Sequence, residues 1–420
     1  MPNFVAKRVM FRNEERHSVL QVVNGLPVHE VTLYLGKYRT KGRAPNSIHS
    51  VCRCLALLYR HLDAAKINLL ARLNEGNFLT STELDRLAAD VQYRMDDLDE
   101  ASESQSNCNV IYIAKIAFRR RSTDEVVAPV HVSTQASRLR YISDFLQFFS
   151  RYVGVTLESS KRRQLEAETT FGLTAFKAHI PTVSNRAKLN ARVGLSLEEQ
   201  NRLLDVIHPD SPRNPWARHY TRLRNWLFVL VLLASGMRRG ELLGLQIGDL
   251  SSTVPKLRII RRADEGNDPR LIQPGTKTND REIELAPAIM RALWSYINNE
   301  RRSIKAARKV SQVFVSDEGA PLSNASIDKL FLQIRQACPD LPDELSSHVM
   351  RHTWNERFSE EAEALGLSES VEEKARNTQQ GWSDNSKMGV TYTRRHTAKK
   401  GREVSLKLQE QLDDKLSYKE

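Results

Sequence analysis

One stretch of the sequence, LLASGMRRGELLGLQIGDL at residues 232–250, constrains the fold most strongly. It continues an apolar run that begins at residue 226, breaks at Ser235 and Gly236, and resumes as a second apolar run. Arg238 and Arg239 lie at the break, where a buried charge is costly unless an opposite charge or hydrogen bonds compensate it. The chain must therefore bury two apolar segments beside a guanidinium group, and the partner of that group has to come from elsewhere.

The excess of basic residues suggests what kind of partner this is. Lys and Arg number 63 and Asp and Glu number 51, which gives a formal net charge of +12. A chain of this charge favours a polyanionic partner such as nucleic acid. Many basic proteins bind no nucleic acid, so charge alone leaves both interpretations open.

The cysteines and the apolar runs indicate the compartment. Cys52 and Cys54 lie two residues apart in a helical pattern, which suits neither a disulfide nor a zinc site. The chain is therefore expected to fold in the reducing cytoplasm. Its longest apolar run, residues 226–234, is far shorter than the roughly 20 residues that span a bilayer. We expect a soluble cytoplasmic protein that makes no use of a membrane.

The first half of the chain is predicted to be mainly helical. Residues 1–29 are predicted to form an N-terminal extension of short strands and turns, and residues 30–180 are predicted to form a helical domain. Within that domain, apolar residues recur at helical spacing over 48–62 and 139–153. An acidic, Ser-rich stretch at 96–107 is predicted to be a loop, and strand-like residues follow it at 110–118. The basic residues beside the second apolar stripe could be solvated or could contact phosphate, and their spacing does not decide between these.

A polar, basic stretch at residues 181–195 is predicted to be a linker. Arg186, Lys188 and Arg192 within it are candidate DNA contacts. Ser196 and Glu199 have the spacing of a capping box, so a helix is predicted to begin there and to open a second domain over residues 196–395.

This second domain is predicted to combine helices with a small sheet. Strands are expected at 257–262 and 270–285, the latter folded back at Asn279 and Asp280. A helix should follow Pro287, and residues 396–420 are expected to form a tail helix with an apolar stripe. The predicted fold class is therefore mainly α with a small antiparallel sheet, an α+β arrangement.

Six residues of the second domain share one kind of chemistry and follow a recognisable order. They are Arg238, which Glu241 follows at the third position, Lys277 at the predicted hairpin, His348 and Arg351 in HVMRH, Trp382 after Gly381, and Tyr392. This order resembles the tyrosine recombinase (phage integrase) family. The catalytic domain of that family carries Arg-x-x-Glu-Leu, a hairpin lysine, His-x-x-Arg-His, a Gly-His or Gly-Trp pair and a tyrosine nucleophile. Each motif alone is weak, but all six positions occur here in order.

Phosphate chemistry accounts for the two arginines independently of the resemblance. Displacement at a phosphodiester spreads negative charge over the equatorial oxygens, so catalysis consists chiefly of placement and electrostatic stabilisation. Guanidinium groups stay charged and present forked donors, so Arg238 and Arg351 could hold those oxygens. DNA phosphate would then be the missing partner of the buried arginine, and Glu241, one turn after Arg238, could support its orientation in the absence of DNA.

The resemblance implies a role for each remaining position. Tyr392 would attack the phosphorus, and His348, which is also the chemically suitable base, would take its proton. Lys277 would protonate the leaving 5′ oxygen, while Trp382 would donate its indole N–H to a phosphate oxygen. His352 is expected to support helix packing. Gln380 departs from the family pattern, which usually has a leucine before the Gly-His pair.

No cofactor or metal is expected. The sequence has no GxxxxGK[ST] phosphate loop and no clustered acidic metal site. His348 and His352 have a spacing that can hold zinc, but the glutamate of HExxH is absent and Arg351 would repel a cation. A covalent phosphotyrosine would store the energy for rejoining without ATP.

The resemblance also implies an assembly and a reaction. A helical DNA-binding N-terminal domain and a tyrosine-recombinase catalytic domain would clamp double-stranded DNA at inverted-repeat sites. Four copies would assemble on two sites, with room for accessory DNA-bending proteins. The tail helix could pack in its own chain or on a neighbouring protomer. Two rival functions remain: a type IB topoisomerase-like enzyme that relaxes supercoils, and a non-catalytic DNA-binding regulator on the same fold.

Overall fold

Helices dominate the structure, which is a computed structural model and describes residues 4–23, 25–93, 129–182, 192–262 and 264–416. The chain divides into two compact units, Met1–Lys188 and Leu189–Glu420. The mainly helical fold with a small antiparallel sheet confirms the predicted fold class. Across the described ranges, no helix has the length and apolar character needed to cross a membrane.

The first unit combines a strand pair with a helical bundle. Strand β1 (Phe4–Met10) pairs antiparallel with β2 (Arg16–Val22), so that Phe4 lies opposite Val22. The helices that follow within the described residues are α1 (His29–Thr40), α2 (Pro45–Ala64), α3 (Leu69–Asn74), α4 (Ser81–Val91), α5 (Val132–Gly154) and α6 (Ser159–Ala178).

The apolar stripes predicted for this unit form its core. Leu55 on α2 and Phe145 and Phe149 on α5 are fully buried in one cluster, which also takes in Leu20 of β2. The strands expected within residues 1–29 are held against the bundle, because Arg60 Nε donates to the Phe4 carbonyl at 2.7 Å. The loop predicted at 96–107 and the strand predicted at 110–118 lie outside the described residues.

The second unit wraps helices around a central apolar helix. Its helices are α7 (Leu197–Ile207), α8 (His219–Ser235), α9 (Arg239–Gly244), α10 (Pro287–Tyr296), α11 (Asn324–Ala337), α12 (Ser347–Ala364), α13 (Glu369–Gln380), α14 (Gly389–Tyr392) and α15 (Arg394–Leu416). Short 3-10 turns lie at Ile247–Asp249 and Ala306–Lys309, and α10 continues into a π-helical turn at Ile297–Arg301. As predicted, Ser196 caps α7: its hydroxyl accepts from the Glu199 amide at 3.2 Å.

The small sheet of this unit corrects one prediction. Strand β3 (Lys256–Ile259) pairs antiparallel with β4 (Arg281–Glu284), and residues 270–280, predicted to be strand, belong to the connection between them. Side-chain bonds explain the difference. Arg270 donates to the Leu322 carbonyl at 2.7 Å, and Asp280 accepts from the Arg261 amide at 2.6 Å. These contacts with distant residues hold the connection in place, and a local sequence pattern cannot predict them.

The tail helix begins directly after the last predicted functional residue. Helix α15 starts at Arg394, two residues earlier than predicted, and its first turns pack on α12. Glu363 of α12 pairs with His396 at 3.1 Å and with Lys400 at 2.5 Å. Farther along, Val404 and Leu408 remain exposed.

Candidate active site

The break that dominates the sequence is built around Gly236. This residue ends α8 in the left-handed conformation, with φ of 62°, and its amide donates to the Leu232 carbonyl at 2.9 Å. A Cβ at Gly236 would lie 2.7 Å from ring atoms of Trp354 and from Gln380 Nε2, so no other residue fits without displacement. The chain then turns into α9 with Arg238 as its N-cap residue.

Glu241 holds this turn together through a fully buried carboxylate. It accepts from the Arg238 amide at 3.0 Å, from the Thr278 hydroxyl at 2.7 Å and from Arg281 Nη2 at 2.8 Å. Burial alone would raise the pKa of Glu241, but the Arg281 charge and the hydrogen bonds from Arg281 and Thr278 hold it below its usual value. Glu241 therefore stays ionised, and it orients Arg238 chiefly through the backbone.

Arg281 and Thr278 are functional candidates that the sequence did not reveal. The Arg281 side chain is 5% exposed and also donates to the Gln379 carbonyl at 2.8 Å, so it ties β4 to the end of α13. Asn279 next to Thr278 donates its amide to the Gly381 carbonyl at 2.9 Å. These bonds join the connection between β3 and β4 to the residues just before Trp382. In the sequence, Arg281 is marked only as a charged residue at the start of a predicted strand. Many surface arginines share this feature, so it does not single out Arg281.

Arg351 lies at the centre of the site. It is 1% exposed, and Nη1 donates to the Gly236 carbonyl at 2.6 Å. Burial and the nearby charge of Arg238 lower the pKa of Arg351 to about 10, against the opposing influence of Glu241 and Tyr392. The guanidinium is thus still charged at neutral pH but lacks a carboxylate of its own, because Glu241 is bound by Arg281.

Four buried N–H donor atoms around Arg351 are unsatisfied. Within the described part of the chain, nothing accepts a hydrogen bond from Arg351 Nε, Arg351 Nη2, Arg238 Nη1 or Trp382 Nε1. Glu241 Oε1 lies 3.5 Å from Arg238 Nη1 as an ion pair without hydrogen-bond geometry. A buried donor left unpaired costs about 1–3 kcal/mol, and more when it is charged. The pocket is therefore suited to an anion with several acceptor oxygens.

Tyr392 closes this pocket from its own chain. It is 4% exposed at the end of α14, and its ring stacks on Trp382 with 5.5 Å between centroids and 21° between planes. The Arg351 guanidinium carbon lies 5.4 Å from the centroid of the same ring and 5.2 Å from that of Trp382. Arg238 and Arg351 precede Tyr392 by 154 and 41 positions in the sequence. The two guanidinium groups and the phenol nevertheless line one pocket.

Two histidines of α12 flank the phenol. The ring centroids of His348 and His352 lie 5.6 Å and 4.6 Å from that of Tyr392. Partial desolvation and the positive charges of Arg192, Arg351 and Arg238 lower the pKa of His348, so its imidazole is neutral at pH 7 and can accept a proton. Burial and the neighbouring His348 lower the pKa of His352 to about 4, which suits a packing role.

Comparison with known proteins agrees with this geometry. Residues 195–397 match the model of the phage integrase family. A curated relative, the tyrosine recombinase XerD of Halalkalibacterium halodurans, is 28% identical over 160 residues, which are 38% of this chain. The match spans 46% of the relative, so this chain covers about half of its length. The region that holds the site thus belongs to the phage integrase family. The family prediction is confirmed.

Solved structures of tyrosine recombinases are also similar. Lambda integrase bound to DNA is 12% identical, with 87% of this chain and 94% of that chain covered and a TM-score of 0.45. XerH bound to palindromic difH after cleavage is 17% identical, with 79% and 85% covered and a TM-score of 0.42. XerA recombinase is 15% identical, with 87% and 92% covered and a TM-score of 0.36.

Among the positions typical of the phage integrase family, five converge and one stays apart. Arg238, His348, Arg351, Trp382 and Tyr392 share the pocket, as described above. Lys277 is exposed on the connection between β3 and β4, although its neighbour Thr278 is buried against Glu241. The connection is thus anchored beside the site while the lysine side chain lies at its surface.

The other basic residues that the sequence analysis considered lie outside the pocket or outside the described residues. Arg186 and Lys188 lie outside the described residues, and Arg192 is exposed near enough to His348 for its charge to lower that pKa. Arg239 pairs with Asp328 on α11 and does not join the pocket. In the portion of the chain that is described, no group of three His, Cys, Asp or Glu side chains could hold a metal ion.

Proposed function

We propose that this chain is a site-specific DNA recombinase that cleaves and rejoins strands through a 3′-phosphotyrosine intermediate. The observation that carries the proposal is the set of four unsatisfied N–H donors from Arg238, Arg351 and Trp382 beside the buried phenol of Tyr392. The anionic oxygens of a DNA phosphodiester can accept hydrogen bonds from these donors, and its phosphorus can be attacked by the phenol.

The reaction follows from the placement of these groups. The Tyr392 oxygen attacks phosphorus, its proton passes to His348, and the bond from phosphorus to the 5′ oxygen breaks. Lys277, whose side chain is exposed next to the anchored Thr278, gives the leaving oxygen its proton. A 5′ hydroxyl of the second duplex then attacks the phosphotyrosine by the reverse steps, so the number of phosphodiester bonds is conserved.

The partners belong to the same proposal. The first unit and the basic linker, with Arg186, Lys188 and Arg192, would grip double-stranded DNA at inverted-repeat sites, and four copies would act on two sites in the cytoplasm. The exposed residues Val404 and Leu408 of α15 suit docking on a neighbouring protomer. Phosphate contacts account for affinity, and groove contacts would choose the site. Accessory DNA-bending proteins could set the direction of exchange.

The test begins with the target. Tyr392→Phe keeps the ring and removes the nucleophile, so it should enrich bound sequences from a random duplex library without cutting them. A nicked suicide duplex of the recovered sequence, whose short 5′-hydroxyl fragment diffuses away, should then trap the wild-type chain covalently. Tyr392→Phe should bind the same duplex and give no covalent band.

The alternatives are outcomes of the same experiment. Specific binding with no covalent band from the wild-type chain would indicate a non-catalytic regulator. A covalent band with relaxation of any supercoiled plasmid, but no exchange between two recovered sites, would indicate a type IB topoisomerase-like enzyme. Strand exchange between two recovered sites is the result that the proposal requires.

A further inference from the structure

A buried carboxylate on α12 joins two segments next to the site. Glu356 lies one helical turn beyond His352 and is 4% exposed. Its Oε1 accepts from the Gly194 amide at 3.2 Å. Burial raises the pKa of Glu356, while the Gly194 amide and the charge and backbone amide of Arg395 act in the opposite direction. The carboxylate is therefore desolvated, is held by the Gly194 amide and lies near the charge of Arg395.

Gly194 is pressed against α12 on its other side as well. Its carbonyl accepts from Arg395 Nη1 at 3.0 Å, and the next amide, that of Leu195, donates to the Thr353 hydroxyl at 2.8 Å. A Cβ at Gly194 would lie 2.7 Å from the Thr353 backbone and 2.8 Å from Glu356 Oε2. Only glycine allows this approach, and both of its backbone polar groups are used in it.

Arg395 belongs to the first turn of α15, three residues after Tyr392. Thr393, between them, is buried and donates its hydroxyl to the Gly389 carbonyl at 3.2 Å, and the Thr397 amide donates to the Thr393 carbonyl at 3.0 Å. The Thr393 amide also donates to the Gly389 carbonyl at 3.1 Å, so hydrogen bonds of Thr393 connect α14 with the first turn of α15. A shift of the first turn of α15 would move the phenol with it.

We infer that Glu356 is a positioning residue for Tyr392: through Gly194 and Arg395 it fixes the first turn of α15 and so fixes the phenol against Trp382 and Arg351. The inference rests on the proposed function for its consequence in catalysis. Glu356 touches none of the reacting groups, and its effect passes through the backbone. Loss of the carboxylate should therefore reduce cleavage and leave DNA affinity unchanged.

The first experiment does not depend on activity. Amide hydrogen exchange of the free protein is compared for wild type, Glu356→Ala and the control Glu360→Ala, which removes the same charge from an exposed position of the same helix. Peptides over residues 193–196 and 389–397 should exchange at least about tenfold faster in Glu356→Ala, with α8 unchanged. Exchange equal to that of wild type in both peptides would overturn the inference, whatever the chain does to DNA.

The second experiment measures the consequence for cleavage. On the nicked duplex, Glu356→Ala should form the covalent complex about 10- to 100-fold more slowly with DNA affinity within about twofold, because small displacements of a reacting group have effects of this size. Arg395→Ala should behave alike, and the double variant should be no slower than the slower single variant, since both break one linkage. Equal losses of binding and cleavage would indicate a merely structural role and would contradict the inference.

Two variants protect the test against misfolding. Glu356→Gln keeps an acceptor for the Gly194 amide and should recover part of the cleavage rate, and Arg395→Lys keeps a charge near the carboxylate. If Glu356→Ala does not fold, slower cleavage in Arg395→Ala with recovery in Arg395→Lys supports the inference, and wild-type cleavage in Arg395→Ala overturns it. A wild-type chain that forms no covalent complex would refute the proposed function, and hydrogen exchange alone would then decide whether Glu356 fixes this turn.

Discussion

The indole of Trp382 stacks on the phenol of Tyr392 at 5.5 Å, and its Nε1 is one of the buried donors that lack a partner. One side chain therefore presents a flat surface to the nucleophile and a hydrogen bond to an incoming anion. These two contributions can be separated by substitution.

Trp382→Phe should keep the stack and lose the donor, and Trp382→Ala should lose both. Loss of one donor to the developing charge should slow covalent-complex formation by about 10²- to 10³-fold. The stack adds about 0.5–1.5 kcal/mol, so Trp382→Ala should be slower again by roughly three- to tenfold. Single-turnover rates on the nicked duplex measure both steps. Equal rates for the two variants would show that the stack contributes nothing to cleavage.

Arg351→Met should separate catalysis from stability. The guanidinium is fully buried with two unsatisfied nitrogens, and replacing such a charge with an apolar side chain of similar length is often neutral or stabilising. We expect the free energy of unfolding to change by less than about 1 kcal/mol, because the lost bond to Gly236 offsets the gain, while cleavage is abolished. Denaturant unfolding measures the change in the free energy of unfolding, and covalent-complex formation on the nicked duplex measures cleavage.

The same variant tests the anion pocket without DNA. Inorganic phosphate or vanadate should raise the melting temperature of the wild-type chain, because a ligand that binds only the folded state stabilises it. The rise should be absent in Arg351→Met and present in Arg218→Met, a surface arginine that pairs with Asp317. Equal rises in both variants would place the anion elsewhere.

The pH dependence of cleavage should report on His348. The neutral imidazole is the active form of a base, and the pKa of His348 is lowered from its ordinary 6.5. The rate should therefore hold as pH falls from 7 through 6.5 and decline only when pH crosses the lowered pKa. His348→Gln should be slower at pH 7 and lack that decline. A decline centred at 6.5 or above in the wild type would contradict the assignment.

A sulfur leaving group should test Lys277. Thiolates leave without protonation, so a duplex with a bridging 5′-phosphorothiolate removes the need for an acid. Lys277→Ala should cleave the ordinary duplex slowly and the sulfur duplex at a rate near that of wild type. Arg351→Met should remain inactive on both. Persistence of the Lys277→Ala defect on the sulfur duplex would show that the lysine acts in another way.

Residue patterns predicted much of the fold, for reasons visible in particular elements. The stripe at 48–62 became α2 because its apolar residues share one helical face, and Ser196 with Glu199 capped α7 because that spacing is a local property. The six candidate site residues from Arg238 to Tyr392 could be predicted because they follow the order of a known family and their side chains suit phosphate chemistry.

The rest depended on contacts between distant residues. Arg281 binds Glu241 across 40 residues, and nothing adjacent to it in sequence marks that bond. The sequence predicts a strand over residues 270–280, but side-chain hydrogen bonds hold this segment to other parts of the chain. The role inferred for Glu356 likewise needs Gly194 and Arg395, which lie 162 residues before it and 39 after it by position number.

Mapping the protein–DNA bond itself tests directly whether Tyr392 is the nucleophile. The trapped complex is digested with protease and nuclease, and the peptide that carries the nucleotide is sequenced by mass spectrometry. We expect one modified residue, Tyr392, joined to a 3′ phosphate, with the 5′ end of the released fragment a free hydroxyl. An adduct on another residue, or a link to a 5′ phosphate, would contradict it.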